Sequence, residues 1–236
     1  MRLAFEELWF FLNGEIQTKK LEEKGINFWT LNTSREFLDK QGLQYLPEGC
    51  LGRAYSKQFR DFGGNTGLIA SKGVDQLQKL LDELAHNPTS RRLMIDLWNP
   101  AEHQYMPLTP CWFNMQVVVV GEYLNVKLRN RSIDLVFGNP FAVEQYRLFQ
   151  LALCKMFGYK LGELSCDYAH CHIYNSQIEY AKELVQRDFG KQGEVVIKKE
   201  LHCMQDLLSL QWEDFEIVGL EVNKTPFVTA KPSMAA

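Results

Sequence analysis

Cys111 stands between Pro110 and Trp112, directly ahead of an apolar β-type run from Phe113 to Val120. Its thiol is therefore expected at the end of a strand, facing a pocket. A second, more polar strand pattern runs from Tyr123 and ends in Arg131-Ser132-Ile133-Asp134. The thiolate is the nucleophilic form of cysteine, and an adjacent guanidinium favours it, so Cys111 and Arg131 together read as a candidate activated nucleophile. His172-Ile173-Tyr174 supplies a third polar cluster. A carboxylate completes the set. Residues 2–13 are dense in Leu, Phe and Trp, with Glu6 and Glu7 as the acidic exceptions. A carboxylate on a buried helix costs several kcal/mol unless paired or used, so one of the two is expected to face a polar cavity. His170 and His172 share a strand face but have no obvious further ligand, and no metal is expected.

These side chains must be positioned by elements that the pattern also predicts. Residues 2–13 read as a buried helix ending at Asn13-Gly14, and 18–24 as a short helix closed by Gly25. The segment 51–62 reads as an aromatic loop before Gly63-Gly64, and 75–86 as an amphipathic helix stopped by Asn87-Pro88. Arg91-Arg92 precedes a strand over 93–98; in a strand the two would point to opposite sides, leaving at least one free. Gly121-Glu122 joins strands 113–120 and 123–131 as a hairpin, and 141–157 carries apolar residues at helical spacing. Strand 159–168, a helix from Ser176-Gln177 to Arg187, and edge strands 195–197 and 215–218 follow.

Bulk properties exclude several classes. The 236 residues can bury a sizeable core, at 46% hydrophobic, and are read as one domain. With 26 Lys plus Arg against 29 Asp plus Glu, the net charge of −3 does not support broad binding to nucleic acid or an anionic membrane. The six cysteines show no zinc-type pairing and follow no secretory signal, so they are read as reduced thiols of a cytoplasmic protein.

Taken together, the clusters resemble the thymidylate synthase superfamily. Its nucleophile pattern appears as Leu108-Thr109-Pro110-Cys111, and its phosphate and folate segment as Arg131, Ser132, Asp134, Gly138, Pro140 and Phe141. Its sugar-binding pair appears as His172 and Tyr174. The likeness extends over Glu7 to Gly14, Leu51-Gly52 with Tyr55 and Arg60, Arg91-Arg92 with Trp98-Asn99, and the tail 231–236.

The resemblance implies an α+β fold, a mixed β-sheet packed by helices with a sheet face at a dimer interface. It covers 1–236 as one catalytic domain, starting at the Glu7 helix without the family's N-terminal phosphate-loop segment. It implies a pyrimidine nucleoside monophosphate as substrate and 5,10-methylenetetrahydrofolate as one-carbon donor. Cys111 and Glu7, with Tyr55, Asn130 and His170, would form the catalytic group. The nucleotide would be met by Arg131, Ser132, Asp134, Ala142, His172 and Tyr174, and by Arg91 and Arg92 reaching across a homodimer interface. The folate would be met by Trp29, Leu108, Asp134, Gly138 and Phe141.

Some positions depart from the pattern. Ala142 stands where synthases carry an Asn that reads uracil, Asn130 where they carry Gln, Trp112 where His is common, and His170 where Asp or Asn is common. Ala142 can read neither base, and Asn130, Trp112 and His170 would alter the lining near the nucleophile, with His170 as the candidate to orient a water. The expected activity is therefore C5 hydroxymethylation of a cytidylate or uridylate nucleotide, cytosine slightly ahead, with thymidylate synthesis as the close alternative. A noncatalytic dimeric scaffold or an RNA-binding relative is the reading of another class.

Overall fold

Helix α1, Arg2–Leu12, is apolar on nearly every side, and Phe5, Leu8, Trp9, Phe11 and Leu12 are all buried. It stops at Asn13, where Gly14 takes a positive φ of 74° and turns the chain away. The computed structural model describes residues 1–64 and 72–231. Four short or amphipathic helices follow α1: α2 Lys19–Glu22, α3 Arg35–Lys40, α4 Tyr55–Arg60 and α5 Gln76–His86. Asp75 caps α5 by accepting from the Gln78 backbone N–H. The segment 51–62, expected as a loop, contains α4. Its buried Tyr55, Ser56, Gln58 and Phe59 hold it helical through packing that a six-residue span cannot announce by periodicity.

The central sheet has the order β1, β2, β3, β5, with β1 Met94–Asp96, β2 Trp112–Val120, β3 Tyr123–Asn130 and β5 Lys160–Tyr168. The β1–β2 and β2–β3 pairs are antiparallel and β3–β5 is parallel, joined through helix α6, Gly138–Phe157. One face of the hairpin buries Met115, Val117, Leu124, Val126 and Leu128. The other face leaves Val118, Tyr123 and Lys127 exposed. This arrangement is an α+β fold with a mixed sheet packed by helices. Arg91 and Arg92 lie in an exposed turn before β1, not in the strand, so alternation does not aim them.

Topology gathers the chemistry at one end of the sheet. The start of β2 lies beside the end of β3 because they are antiparallel, and the end of β5 joins them because it runs parallel to β3. Two short strands continue that end, β4 Ile133–Asp134 and β6 Cys171–His172, paired in parallel. Helix α7, Ile178–Leu184, the ribbon of β7 Glu194–Ile197 with β8 Phe215–Val218, and α8, Met204–Leu208, complete the described residues. Trp9 ties α1 to this last region, donating its indole N–H to the Leu207 carbonyl at 2.8 Å.

Candidate active site

Cys111 sits exposed immediately before β2. Its backbone is fixed on both sides: its N–H donates to the Tyr55 hydroxyl oxygen at 2.8 Å, and its carbonyl accepts from the Arg131 N–H at 2.9 Å. The Arg131 guanidinium is oriented by neutral groups only, donating to the carbonyls of Pro110 at 2.9 Å and Thr109 at 3.0 Å. Its Nη2 lies 3.9 Å from the Cys111 sulfur. No described carboxylate forms an ion pair with Arg131. Its positive charge is thus left for the sulfur or for an incoming anion. His103 stands nearby, its ring 4.3 Å from Trp98, over which Arg131 also lies. Burial and the Arg131 charge hold its pKa down, which favours a neutral imidazole.

From Tyr55 the polar groups continue inward to Glu7. Trp29 donates its indole N–H to one Glu7 oxygen at 2.7 Å, and Gln145 donates its amide to the other at 2.6 Å. Both donors are neutral, and burial pushes the Glu7 carboxyl up from its ordinary 4.5, the two hydrogen bonds opposing that shift. Of the two acidic residues on α1, Glu7 is thus the one held by neutral donors alone. Glu6 pairs with Lys24 at the surface. Burial and the negative charges of Cys111 and Glu7 keep the Tyr55 phenol well above 10.0, so it retains its proton.

Around these groups lie buried polar atoms with no hydrogen-bond partner among the described residues. The Tyr146 hydroxyl is one, and both amide atoms of Asn130, itself 2% exposed, are two more. The Trp112 ring sits 4.2 Å from Tyr146, and Trp112 pairs with Asn130 across the sheet, which places these groups in one neighbourhood. Each such atom costs about 1–3 kcal/mol if nothing meets it.

The polar arm beyond Arg131 is organised by Asp134. One of its oxygens accepts from the Val136 N–H at 2.9 Å ahead of α6, and the other from the Gln177 amide at 2.9 Å. The Gln177 carbonyl oxygen in turn accepts from the Tyr174 N–H at 3.1 Å. Gln177, buried and absent from the sequence-based candidates, thereby locks the His172-Tyr174 segment to the Arg131-Ser132 segment. The rings of His172 and Tyr174 meet edge to face at 4.8 Å, and the buried Nδ1 of His172 has no partner. Ser132 is half-buried on the same stretch. Phe141, at the first turn of α6, meets Phe28 at 4.9 Å, beside half-buried Trp29. Gly138 begins α6, where a Cβ would lie 3.4 Å from that of Asp134.

The sequence comparisons bear on this geometry. The thymidylate synthase family model matches residues 1–232. Human thymidylate synthase is 35% identical over 236 residues, 98% of this chain and 73% of that protein. The thymidylate synthase of Ascaris suum is 36% identical over 78% of this chain and 64% of its own length. The bifunctional dihydrofolate reductase-thymidylate synthase of Paramecium tetraurelia is 34% identical over 94% of this chain and 48% of its own. The chain belongs to the thymidylate synthase family.

Two of the positions that depart from the family pattern are placed differently from expectation. Trp112 does not line the pocket: it is 5% exposed and packs against Tyr55, Phe59 and Tyr146 in the core. The strand alternation that exposes Cys111 turns the next side chain inward. His170 lies exposed beside His172, ring centroids 5.4 Å apart, and no contact links it to Cys111. Ala142 is buried on α6 as an apolar position that reads no base. Leu108 is half-buried in the loop before Cys111, and among the described residues the side chains of Arg91 and Arg92 make no ion pair. The tail beyond Lys231 lies outside the described residues. No group of metal-ligating side chains clusters among the described residues, and no helix there is long and apolar enough to cross a membrane.

Proposed function

We propose that this chain is a catalytic domain that transfers a one-carbon unit from 5,10-methylenetetrahydrofolate to C5 of deoxyuridylate, with methylation as the outcome. The observation that carries the reading is the linked set Tyr55, Cys111 and Arg131, with Glu7 near enough to Tyr55 for its charge to act on the phenol. In it a nucleophile, an unneutralised cation and a buried carboxyl meet beside orphaned polar atoms. Cys111 attacks C6 of the pyrimidine as the thiolate, forming a C–S bond and pushing the ring electrons toward C5 and O4. Glu7 and Tyr55 face that developing charge, Glu7 as a carboxyl whose pKa burial raises, able to hold or release a proton. C5 would then bond to the methylene that the folate supplies and lose its proton; the folate amine would leave, and hydride from the resulting tetrahydrofolate would reduce the exocyclic methylene to a methyl group as Cys111 is expelled, leaving dihydrofolate. Arg131, Ser132, His172 and Tyr174 hold the phosphate and sugar, with Arg91 and Arg92 contributed from a second copy docked on the exposed sheet face. Trp29, Leu108, Gly138 and Phe141 border the folate.

The relatives' printed names favour methylation over the hydroxymethylation expected from the sequence. Of the four departures behind that expectation, Trp112 has its side chain packed in the core and His170 is exposed. Incubation with deoxyuridylate and methylenetetrahydrofolate tests the choice. Thymidylate and dihydrofolate in equal amounts are expected; 5-hydroxymethyl product with tetrahydrofolate would replace the methylation reading.

A further inference from the structure

Gln145 lies on the buried face of α6, three residues after Ala142, and is 4% exposed. A buried primary amide has two donors and two acceptor positions to satisfy, and the structure assigns one of these, the N–H donated to Glu7 at 2.6 Å. No described residue donates to its Oε1. Side chains on a helix lean toward its N-terminus, so a residue covers the turn before its own Cα. Gln145 therefore leans over Ala142, whose single methyl leaves the space that a long side chain needs.

We propose that Gln145 reads the N3–C4 edge of the pyrimidine, and that its hydrogen bond to Glu7 fixes its amide in the uracil-reading orientation. This rests on the pyrimidine site proposed above. A side-chain amide carries one N–H beside its oxygen and one turned away. With the outer N–H on Glu7, the inner N–H and Oε1 form a donor and acceptor pair. Uracil presents O4 as acceptor and N3–H as donor, which match that pair. Cytosine presents the reverse, N3 as acceptor and the 4-amino group as donor. Reading cytosine would require the amide to turn over, directing Oε1 at a Glu7 oxygen. Trp29 already donates to the other Glu7 oxygen, so an ionised Glu7 has only acceptors to offer there. Selectivity then comes from two contacts, one to the base and one that keeps the reader from flipping.

The test is equilibrium binding of deoxyuridylate and deoxycytidylate to the full chain, with turnover of each measured in parallel. A preference on the order of 10- to 100-fold for deoxyuridylate is expected, the factor for one buried mispaired polar group. Gln145→Met keeps length and volume without polar atoms, and should bring the two affinities within about threefold by weakening deoxyuridylate alone. Adding an amide through the Ala142→Asn/Gln145→Ala double variant should restore the preference. Thermal melts identify any variant that fails to fold, and the double variant then decides. A purely structural Gln145 would lower both affinities in proportion, and an unchanged ratio in Gln145→Met would overturn the proposal. A preference that is intact in binding but unaccompanied by turnover would reject the catalytic reading and leave Gln145 as the reader. Binding of neither nucleotide would reject both.

Discussion

Glu102, in the 3₁₀ turn Pro100–Tyr105, and Glu7, on α1, each accept two side-chain hydrogen bonds in the interior, yet their neighbours differ in charge. Glu102 is fully buried, takes Arg53 at 2.8 Å and Gln58 at 2.5 Å, and so has a cation against it. Arg53 also pairs with Asp61 at 2.7 Å, which closes that network on itself. Glu7 has only Trp29 and Gln145, two neutral donors, and stands beside polar atoms that nothing meets. A carboxylate with a cation against it holds elements together. An uncompensated one is left able to exchange a proton, and this is what general acid–base work requires.

The sharpest way to break this contrast is to neutralise each glutamate in turn. Glu7→Gln should lower kcat by about 10³-fold, since it removes the exchangeable proton at a catalytic position, while leaving the melting temperature near or above that of the parent. Glu102→Gln should do the reverse: it strands Arg53 in the interior and costs about 3 kcal/mol of stability, read from denaturant midpoints, with activity per folded molecule nearly unchanged. Equal effects of the two on activity would erase the distinction.

A smaller effect appears in the pH dependence of stability. Burial raises the folded pKa of Glu7 above its ordinary 4.5. The unfolded chain thus releases this proton first, and the stability that Glu7 contributes is complete below about pH 4.5 and is lost as pH rises through the folded value. The parent should therefore lose stability relative to Glu7→Gln from about pH 4.5 upward, and then run parallel to it. A gap that narrows as pH rises would contradict the assignment. Smaller still is Tyr55→Phe, which removes the acceptor of the Cys111 N–H. It should cost about 1 kcal/mol in stability and about tenfold in kcat, with the KM for nucleotide little changed.

Much of the frame was legible because apolar runs and turn residues are local signals. Helix α1, the hairpin at Gly121 and the capped α5 all follow from such patterns. The same signal marks Glu6 and Glu7 alike as charges on an apolar helix, and it is the family resemblance that picks Glu7 of the two. Gln145 carries the same signal, a polar residue on the buried side of α6, but was passed over because the apolar positions alone traced that helix. Helix α4 was missed because packing of Tyr55 and Phe59 sustains it. Arg91 and Arg92 precede β1 as the pattern suggests, but in a turn, with the strand beginning one residue later than expected, so strand alternation does not aim them. The pairing of Glu102 with Arg53, far apart in sequence, leaves no trace in spacing at all, and the same holds for Gln177 with Asp134.

The central claim is that Cys111 forms the covalent bond that opens C5 to one-carbon transfer. Intact-mass analysis after incubation with 5-fluorodeoxyuridylate and methylenetetrahydrofolate tests it most directly, because fluorine at C5 blocks proton loss and traps the adduct. The account predicts one added mass equal to nucleotide plus methylene-bearing folate on the parent chain, mapped to Cys111, and none on Cys111→Ala that has the parent's melting temperature. An adduct that persists in Cys111→Ala, or no adduct on a folded parent chain, would contradict it.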